Sequence, residues 1–353
     1  MSSFLDNQSP FLTPRVDQYN SHQVMTNVFK PTKKKYININ TEFCDEYFTN
    51  QSNKSNTNTY NLSSYTITLP EKINDVKSMS IKNIELPVTY YNISAQLKNN
   101  ALKIKNQTLS RVISKVIIIP DGYYTILQLK TALDSILTST WTASDKINFG
   151  IGNSIDSTGT NLSNQSTTSY QSNYYSFFYI TENTNYFQID FAINSDDGTF
   201  NKYNFKSSLG WLLGFRNYTY IISGTSPSTP GYTTTQKTGY LLSENNISLS
   251  GPKYFYLAID EFSKGTQNSF LATMPFSVIN KKIIAKITLN TQIYPFGTIL
   301  PANIYDGYLM SDKREYNGKT DIQKLLVQLI DEYGNFVNLN GADFSFCVEL
   351  EYE

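Results

Sequence analysis

The sequence predicts an all-β fold, an antiparallel β-sandwich with a small α+β insertion and an extended N-terminal arm. Three observations carry that expectation. Aromatic side chains make up 14% of the 353 residues, with 27 Tyr and 21 Phe, and these residues join Ile, Val and Thr in favouring pleated, half-buried surfaces. Residues 65–93 hold long apolar runs that alternate with polar positions, the period of a strand with one buried face. Only one stretch, 125–137, has a convincing helical period.

The 65–93 stretch is the one around which the rest is organised. Tyr65, Ile67 and Leu69 take odd positions, as do Met79 and Ile81, whereas Ile84, Leu86 and Val88 take even ones. An apolar set that changes parity marks either a β-bulge, here near Lys82 and Asn83, or a strand crossing between sheets. Pro70 lacks an N–H and predicts the end of a first strand, and Pro87 predicts a finish at a sheet edge.

Taken in order, residues 1–35 read as the arm, with Pro10, Pro14 and Pro31 and no sustained period. Lys33, Lys34 and Lys35 close it as a basic run suited to a solvated hinge or to contact with an acidic surface. Tyr36, Ile37 and Ile39 begin the first strand, and Phe43, Tyr47 and Phe48 form an aromatic cluster before a polar loop. Residues 102–104 read as a short strand, and 112–120 as a buried strand stopped by Pro120. Thr125 is placed to cap a helix whose Ile126, Leu129, Leu133, Ile136 and Leu137 share one face. A polar loop over 141–168 leads to two aromatic strands, 174–180 and 186–191, which the turn at 182–185 predicts as a hairpin. Residues 207–215, SSLGWLLGF, read as a compact apolar knot that forms a short helix stopped by Gly214, and 224–239 as a flexible loop. Strand patterns return at 254–259, 282–289, 325–330, 336–339 and 344–352, the last with Cys347 opposite the aromatic face, and suggest a terminal antiparallel meander. The expected organisation is therefore a jelly-roll sandwich from 36–120 plus 241–353, with 121–240 inserted on its rim.

Chemistry-bearing motifs are scarce. His22, the sole histidine, lies in the arm, which excludes a His-based triad or metal cluster on the body. Cys44 and Cys347 are too far apart in sequence for a zinc or redox motif, and phosphate-binding, nucleophile-elbow and metalloprotease signatures are missing. The acidic neighbours Asp45 and Glu46, Asp196 and Asp197, and Asp260 and Glu261 fit turns and solvated edges better than a carboxylate active site. No catalytic, cofactor or metal residue is expected. Zero net charge and only 16% charged residues offer no field for nucleic acid, and suit a component of an assembly better than a lone soluble chain. No apolar run approaches the ~20 residues of a membrane helix, and the opening MSSFLDNQSP has no signal-peptide pattern.

The segments YININTEFCDEYF, SSYTITLPEKINDVKSMSIKNIELPVTYYNIS, VIIIPDGYYTILQLKTALDSI and SSLGWLLGF, in that order, resemble jelly-roll minor capsid and vertex (penton) proteins of large icosahedral double-stranded DNA viruses of the giant-virus type. The likeness spans most of 36–215. It implies a virion component without enzymatic activity, whose partners are a major capsid protein and other shell subunits, with self-association as a pentamer at a vertex. The competing expectation is a surface attachment protein that binds carbohydrate or a receptor. In that case its Tyr and Trp residues, Trp141 and Trp211 included, would line an exposed concave face.

Overall fold

One strand of 24 residues, β2 (Ser64–Pro87), absorbs most of the 65–93 stretch and runs through the larger of two bodies. The computed structural model describes residues 32–44, 64–107, 112–141, 147–152, 174–180, 186–194, 197–200, 202–223, 236–238, 240–262, 271–274, 277–279 and 282–353. The expected arm to residue 31, Tyr47 and Phe48, and most of 224–239 lie outside them. On one side of β2, its second half pairs with β18 (Ser345–Tyr352), which pairs in turn with the edge strand β1 (Lys33–Asn40). On the other side lies β17 (Arg314–Asp331), followed by β11 (Tyr254–Asp260), β14 (Ile283–Thr288) and β16 (Leu309–Ser311). The short β15 (Ile299–Asn303) takes over beyond the end of β17, opposite residues 83–87 of β2. All these pairings are antiparallel. The path curls back on itself: the Ile81 N–H donates to Ser311 Oγ (3.1 Å), tying the far strand β16 to β2. The result is a half-barrel, the jelly-roll body that the strand patterns predict.

The apolar side chains of β2 face a single core with Phe255, Leu257, Leu325, Val327, Phe346 and Val348. Parity is corrected where the sequence suggests. Cys347 pairs with Asn83 and Val348 with Ile81, so Lys82 is the extra residue of a bulge, and Ile81 and Ile84 both point inward. A second shift skips Lys77 between Ser78 and Val76. Pro70 does not end the strand, because the β17 ladder is itself interrupted between Thr68 and Ile73, where no N–H is needed.

Residues between 93 and 249 build a second core. β3 (Ala101–Gln107) and β4 (Val112–Ile118) join β7 (Tyr186–Asp190), β8 (Thr219–Ser223) and β9 (Gln236–Thr238) in the order β4-β3-β7-β8-β9. β5 (Ile147–Gly152), β6 (Tyr175–Ile180) and β10 (Tyr240–Asn246) form a three-stranded sheet with β6 in the middle. β12 (Ala272–Met274) and β13 (Ser277–Ile279) make a separate small hairpin. The helix α1 (Ile126–Thr140) begins at Thr125 with a full capping box to Gln128 and buries Leu129, Leu133 and Leu137. The short α2 (Leu209–Leu212) is followed by Gly214 at φ +93°, where a Cβ would lie 2.0 Å from the Asn245 carbonyl oxygen.

Several expectations change. The boundaries of the insertion move outward, from 120 and 241 to about 92 and 250, because β3, β4 and β10 pair within it. Residues 33–35 belong to β1, not to an arm. β6 and β7 enter different sheets and form no hairpin. β4 is an edge strand with Val112 and Ile118 exposed, not a buried one. Phe43 is exposed in a 3-10 turn, and the other members of its expected aromatic cluster, Tyr47 and Phe48, lie outside the described residues. Residues 336–339 make only a bridge, from Ile330 to Phe336, and β2 separates β17 from β18, so the terminal strands are no meander. β5, missed within a Ser/Asn-rich loop, shows its alternation only in Ile147, Phe149 and Ile151. Gly150 is required there because the Phe177 ring fills the space of its Cβ, with ring atoms 2.0 Å away.

Two measurements check this account. Deleting Lys82 removes the bulge and turns one half of β2 inside out, so soluble, cooperatively unfolding protein should be lost. Thr125→Ala should lower the unfolding free energy by about 1 kcal/mol in denaturant titration, the usual value of an N-cap.

Candidate interaction surface

The outer face of the β1-β18-β2 wall is a ladder of alternating charge. β1 presents Lys34 and Tyr36 there, β18 presents Cys347, Glu349 and Glu351, and β2 presents Ser78 and Lys82. Lys34 Nζ lies 3.4 Å from Glu349 and 3.8 Å from Glu351, Lys82 Nζ lies 3.2 Å from Glu349, and Lys313 pairs with Glu351. The side chain of Glu349 is only 7% exposed. Burial opposes its ionisation, but the Tyr36 hydroxyl and the ammonium groups of Lys82 and Lys34 outweigh it and hold the carboxyl below the ordinary range. Glu351 is held low chiefly by the hydrogen bond from Lys313, against the opposing effect of burial, with Ser78 assisting. On the opposite face of β1, Lys35 donates to Glu71 at 2.8 Å. The acidic surface met by Lys34 and Lys35 is therefore the chain's own; Lys33 is exposed at the start of β1.

Exposed apolar side chains recur over residues 293–310, the segment whose β15 pairs with the end of β2. Ile293 and Phe296 lie in the loop before β15, Ile299 on its outer face, Ile304 and Tyr305 in the turn after it, and Met310 on β16. All six are exposed, Tyr305 to 92%. Isolated exposed apolar residues are ordinary, but six exposed within one 18-residue segment mark that segment as a candidate for partner contact, with Phe296 already stacked on Tyr123.

Inside the wall, β11, β14 and β17 meet at a buried ion pair. Arg314 Nη1 donates to Glu261 (2.8 Å) and to the Ile259 carbonyl (2.7 Å), and Nη2 donates to the Lys282 carbonyl. Both side chains are fully buried. Asp260, the neighbouring acid, pairs with Lys282 at 2.6 Å nearer the surface. Both acids are thus engaged by cations as structural ties.

The two bodies join at Asn92, which is buried. Its side chain donates to the Tyr124 carbonyl (2.8 Å) and the Leu249 carbonyl (3.0 Å) and accepts from the Tyr124 N–H (2.8 Å), locking the entry and exit of the insertion together. Gln96 donates across to the Phe336 carbonyl (2.7 Å), and Phe296 stacks on Tyr123 with centroids 4.7 Å apart. Beneath lies a cavity of about 190 Å³ with residues from both bodies in its wall. In the sequence Asn92 is only one Asn-x-Ser triplet among several, and nothing local distinguishes it.

The remaining chemistry-bearing residues stay apart. Trp141 is 3% exposed and meets Phe187 edge-on, while Trp211 lies half-buried between Phe205 and the Arg216 guanidinium, so neither opens a concave stacking face. Cys44 is buried, and Cys347 is half-buried on the outer face. Asp197 caps its own turn by accepting from the Thr199 N–H. His22, Asp45, Glu46 and Asp196 lie outside the described residues. Among the described residues, no three His, Cys, Asp or Glu side chains gather as a metal-binding group, and no helix is long and apolar enough to cross a membrane.

No family model matches the chain, and no curated protein does. Two solved structures are similar over nearly its full length. The mavirus penton protein shares 9% identity, covering 91% of this chain and 100% of that one, with a TM-score of 0.41. A chain of the Sputnik virophage, from its 3.5 Å cryo-EM structure, shares 12% identity, covering 92% and 98%, also with a TM-score of 0.41.

Two predictions follow from the charges. A carboxyl whose folded pKa lies below its unfolded value contributes stability that is fully present above the unfolded value, about 4.3 for Glu, and is lost as pH falls through the folded one. Glu349→Gln should therefore cost about 1–2 kcal/mol near neutral pH, and the difference from the parent should shrink as denaturation is measured at progressively lower pH, below the ordinary Glu range. Arg314→Met should cost about 3–5 kcal/mol because it strands the Glu261 carboxylate in the core, and Arg314→Met with Glu261→Leu should recover much of that loss.

Proposed function

We propose that this chain is a structural subunit of a virion, a penton or minor protein in the shell of a large icosahedral double-stranded DNA virus. It is made in the host cytoplasm and incorporated into the particle. The observation that carries the reading is the exposed apolar segment at 293–310, in a chain whose outer-face charges are already paired internally. Such a surface gains by being covered, and in a closed shell symmetry supplies the same neighbour to every copy. The resemblance of the 36–215 motifs to jelly-roll minor capsid and vertex proteins supports the same class. A single curled body, rather than two in tandem, favours a vertex or minor position over a major capsomer.

The partners are other shell subunits, and at a five-fold vertex they are further copies of this chain. Residues 1–32 are read as a segment that reaches a neighbour, adding contacts whose ordering cost is recovered only on assembly.

Native mass measurement tests the vertex role: a pentamer is expected, and a strictly monomeric chain that never enters particles would sink it. Ile299→Lys with Met310→Lys, both at exposed positions, should leave the unfolding transition unchanged while dissociating the assembly. Removing residues 1–32 should spare the fold and reduce incorporation into particles; normal incorporation would refute the role given to that segment.

A further inference from the structure

β1 is the last strand on its side of the jelly-roll sheet, and its register shows which of its backbone groups are left over. The Thr41 N–H donates to the Phe344 carbonyl (3.0 Å), in step with the pairing of Asn40 with Ser345 and Ile39 with Phe346. Antiparallel strands exchange their backbone bonds at every second residue. Lys35, Ile37 and Ile39 therefore bond to β18, and the N–H and C=O groups of Lys34, Tyr36 and Asn38 point to the open edge. Among the described residues no strand meets them. Natural sheet edges are protected by charge, by proline or by a covering segment. On β1 the lysines are drawn away, Lys34 to Glu349 and Glu351 and Lys35 to Glu71. From Tyr36 to Asn40 the edge carries no charge, and its neighbouring apolar surface, on Tyr36 and Phe43, is exposed.

A row of unpaired backbone groups is completed by an extended peptide that adds one strand. The residues before Thr32, outside the described ones, include a segment of that kind. Val24, Thr26 and Val28 alternate with Met25, Asn27 and Phe29, so both faces of the segment offer apolar side chains and neither holds a charge or a proline. Lys30, Pro31 and Thr32 link it to β1, and their stereochemistry opposes a tight turn back onto the same strand. Pro31 fixes its own φ and holds Lys30 extended, while the β-branched Thr32 resists the positive φ that short hairpins use. We propose that residues 24–29 of one copy add as a strand to the β1 edge of a neighbouring copy, bonding to Lys34, Tyr36 and Asn38. One face of the added strand then covers the half-buried Ile37, and the other meets Tyr36. The proposal rests on the shell-subunit reading only in taking the neighbour to be a second copy of this chain.

The parity of the edge supplies the test, on the full chain in solution. Val24→Asp with Val28→Asp alters only the donated segment. Asn38→Pro removes an outward N–H and none of the bonds to β18, so unfolding should stay cooperative. Amide-resolved hydrogen exchange should be about tenfold slower or more at Lys34, Tyr36 and Asn38 in the parent than in the Val24→Asp, Val28→Asp variant, with Ile37 and Ile39 unchanged. Mixing then identifies the donor. When the isotope-labelled Val24→Asp, Val28→Asp chain, whose edge is intact, meets unlabelled Asn38→Pro chain, whose segment is intact, slow exchange should return at Tyr36 of the labelled copy. If Asn38→Pro does not fold, dilution of the parent gives the same answer: protection by a neighbour is lost, and protection by the chain's own segment is kept. Equal exchange in parent and Val24→Asp, Val28→Asp variant, whether both fast or both slow, overturns the proposal, the second case meaning that something else occupies the edge. Protection that neither returns on mixing nor falls on dilution overturns it in favour of pairing within one chain. Oligomer mass and entry into particles test the shell role separately, so either result can fail while the other stands.

Discussion

The larger body depends on one strand changing faces without leaving its sheet. β2 must keep apolar side chains inward along 24 residues while the sheet curls around them, and strict alternation cannot do this as the wall bends. Extra residues at Lys82 and Lys77 reset the alternation, so that Val76, Met79, Ile81 and Ile84 all reach the core despite their mixed parity. The same bulges increase the local twist, consistent with the sheet closing back through Ser311. The pairing of β2 with β17, β18 and β15 rests on that correction.

Charge is used differently on the two sides of this wall. Outside, Glu349 and Glu351 sit among Lys34, Lys82 and Lys313 at cross-strand spacing, where opposite charges add modestly to sheet stability and help to set register. Inside, Arg314 and Glu261 are fully buried, and their value lies in mutual dependence: removing either leaves the other desolvated and unpaired. Because the guanidinium also binds the Ile259 and Lys282 carbonyls, it ties the ends of β11 and β14 to the start of β17. An outer face whose charges are satisfied internally leaves the exposed apolar segment at 293–310 as the surface with most to gain from a neighbour.

The insertion has its own aromatic core, in which Phe191 and Phe215 stack at 4.7 Å and Phe178 packs against both. Asn92 locks its entry to its exit, and directional contacts such as Gln96 with the Phe336 carbonyl and Phe296 on Tyr123 hold it to the jelly-roll body. Two cores joined by polar contacts leave room between them, and the cavity lined by Asp121 and Asp331 falls there.

The sequence by itself determined which side of each strong strand is buried, the parity change near Lys82 and Asn83, the capped start of α1 at Thr125 and the stop at Gly214. Each of these follows from a local period or from the stereochemistry of one residue, and no distant partner is needed to read it. Only the tertiary structure decided which strands meet. β6 and β7 carry hairpin-like sequence yet serve different sheets, and β4 is apolar yet lies at an edge, because periodicity reports a buried face and not the neighbour across the ladder. Lys34 and Lys35 look like free charge in sequence and are paired in space, since their acids lie 315 and 36 residues away. The junction at Asn92 and the carboxylates of its cavity were illegible for the same reason: their contacts join segments that only the fold brings together.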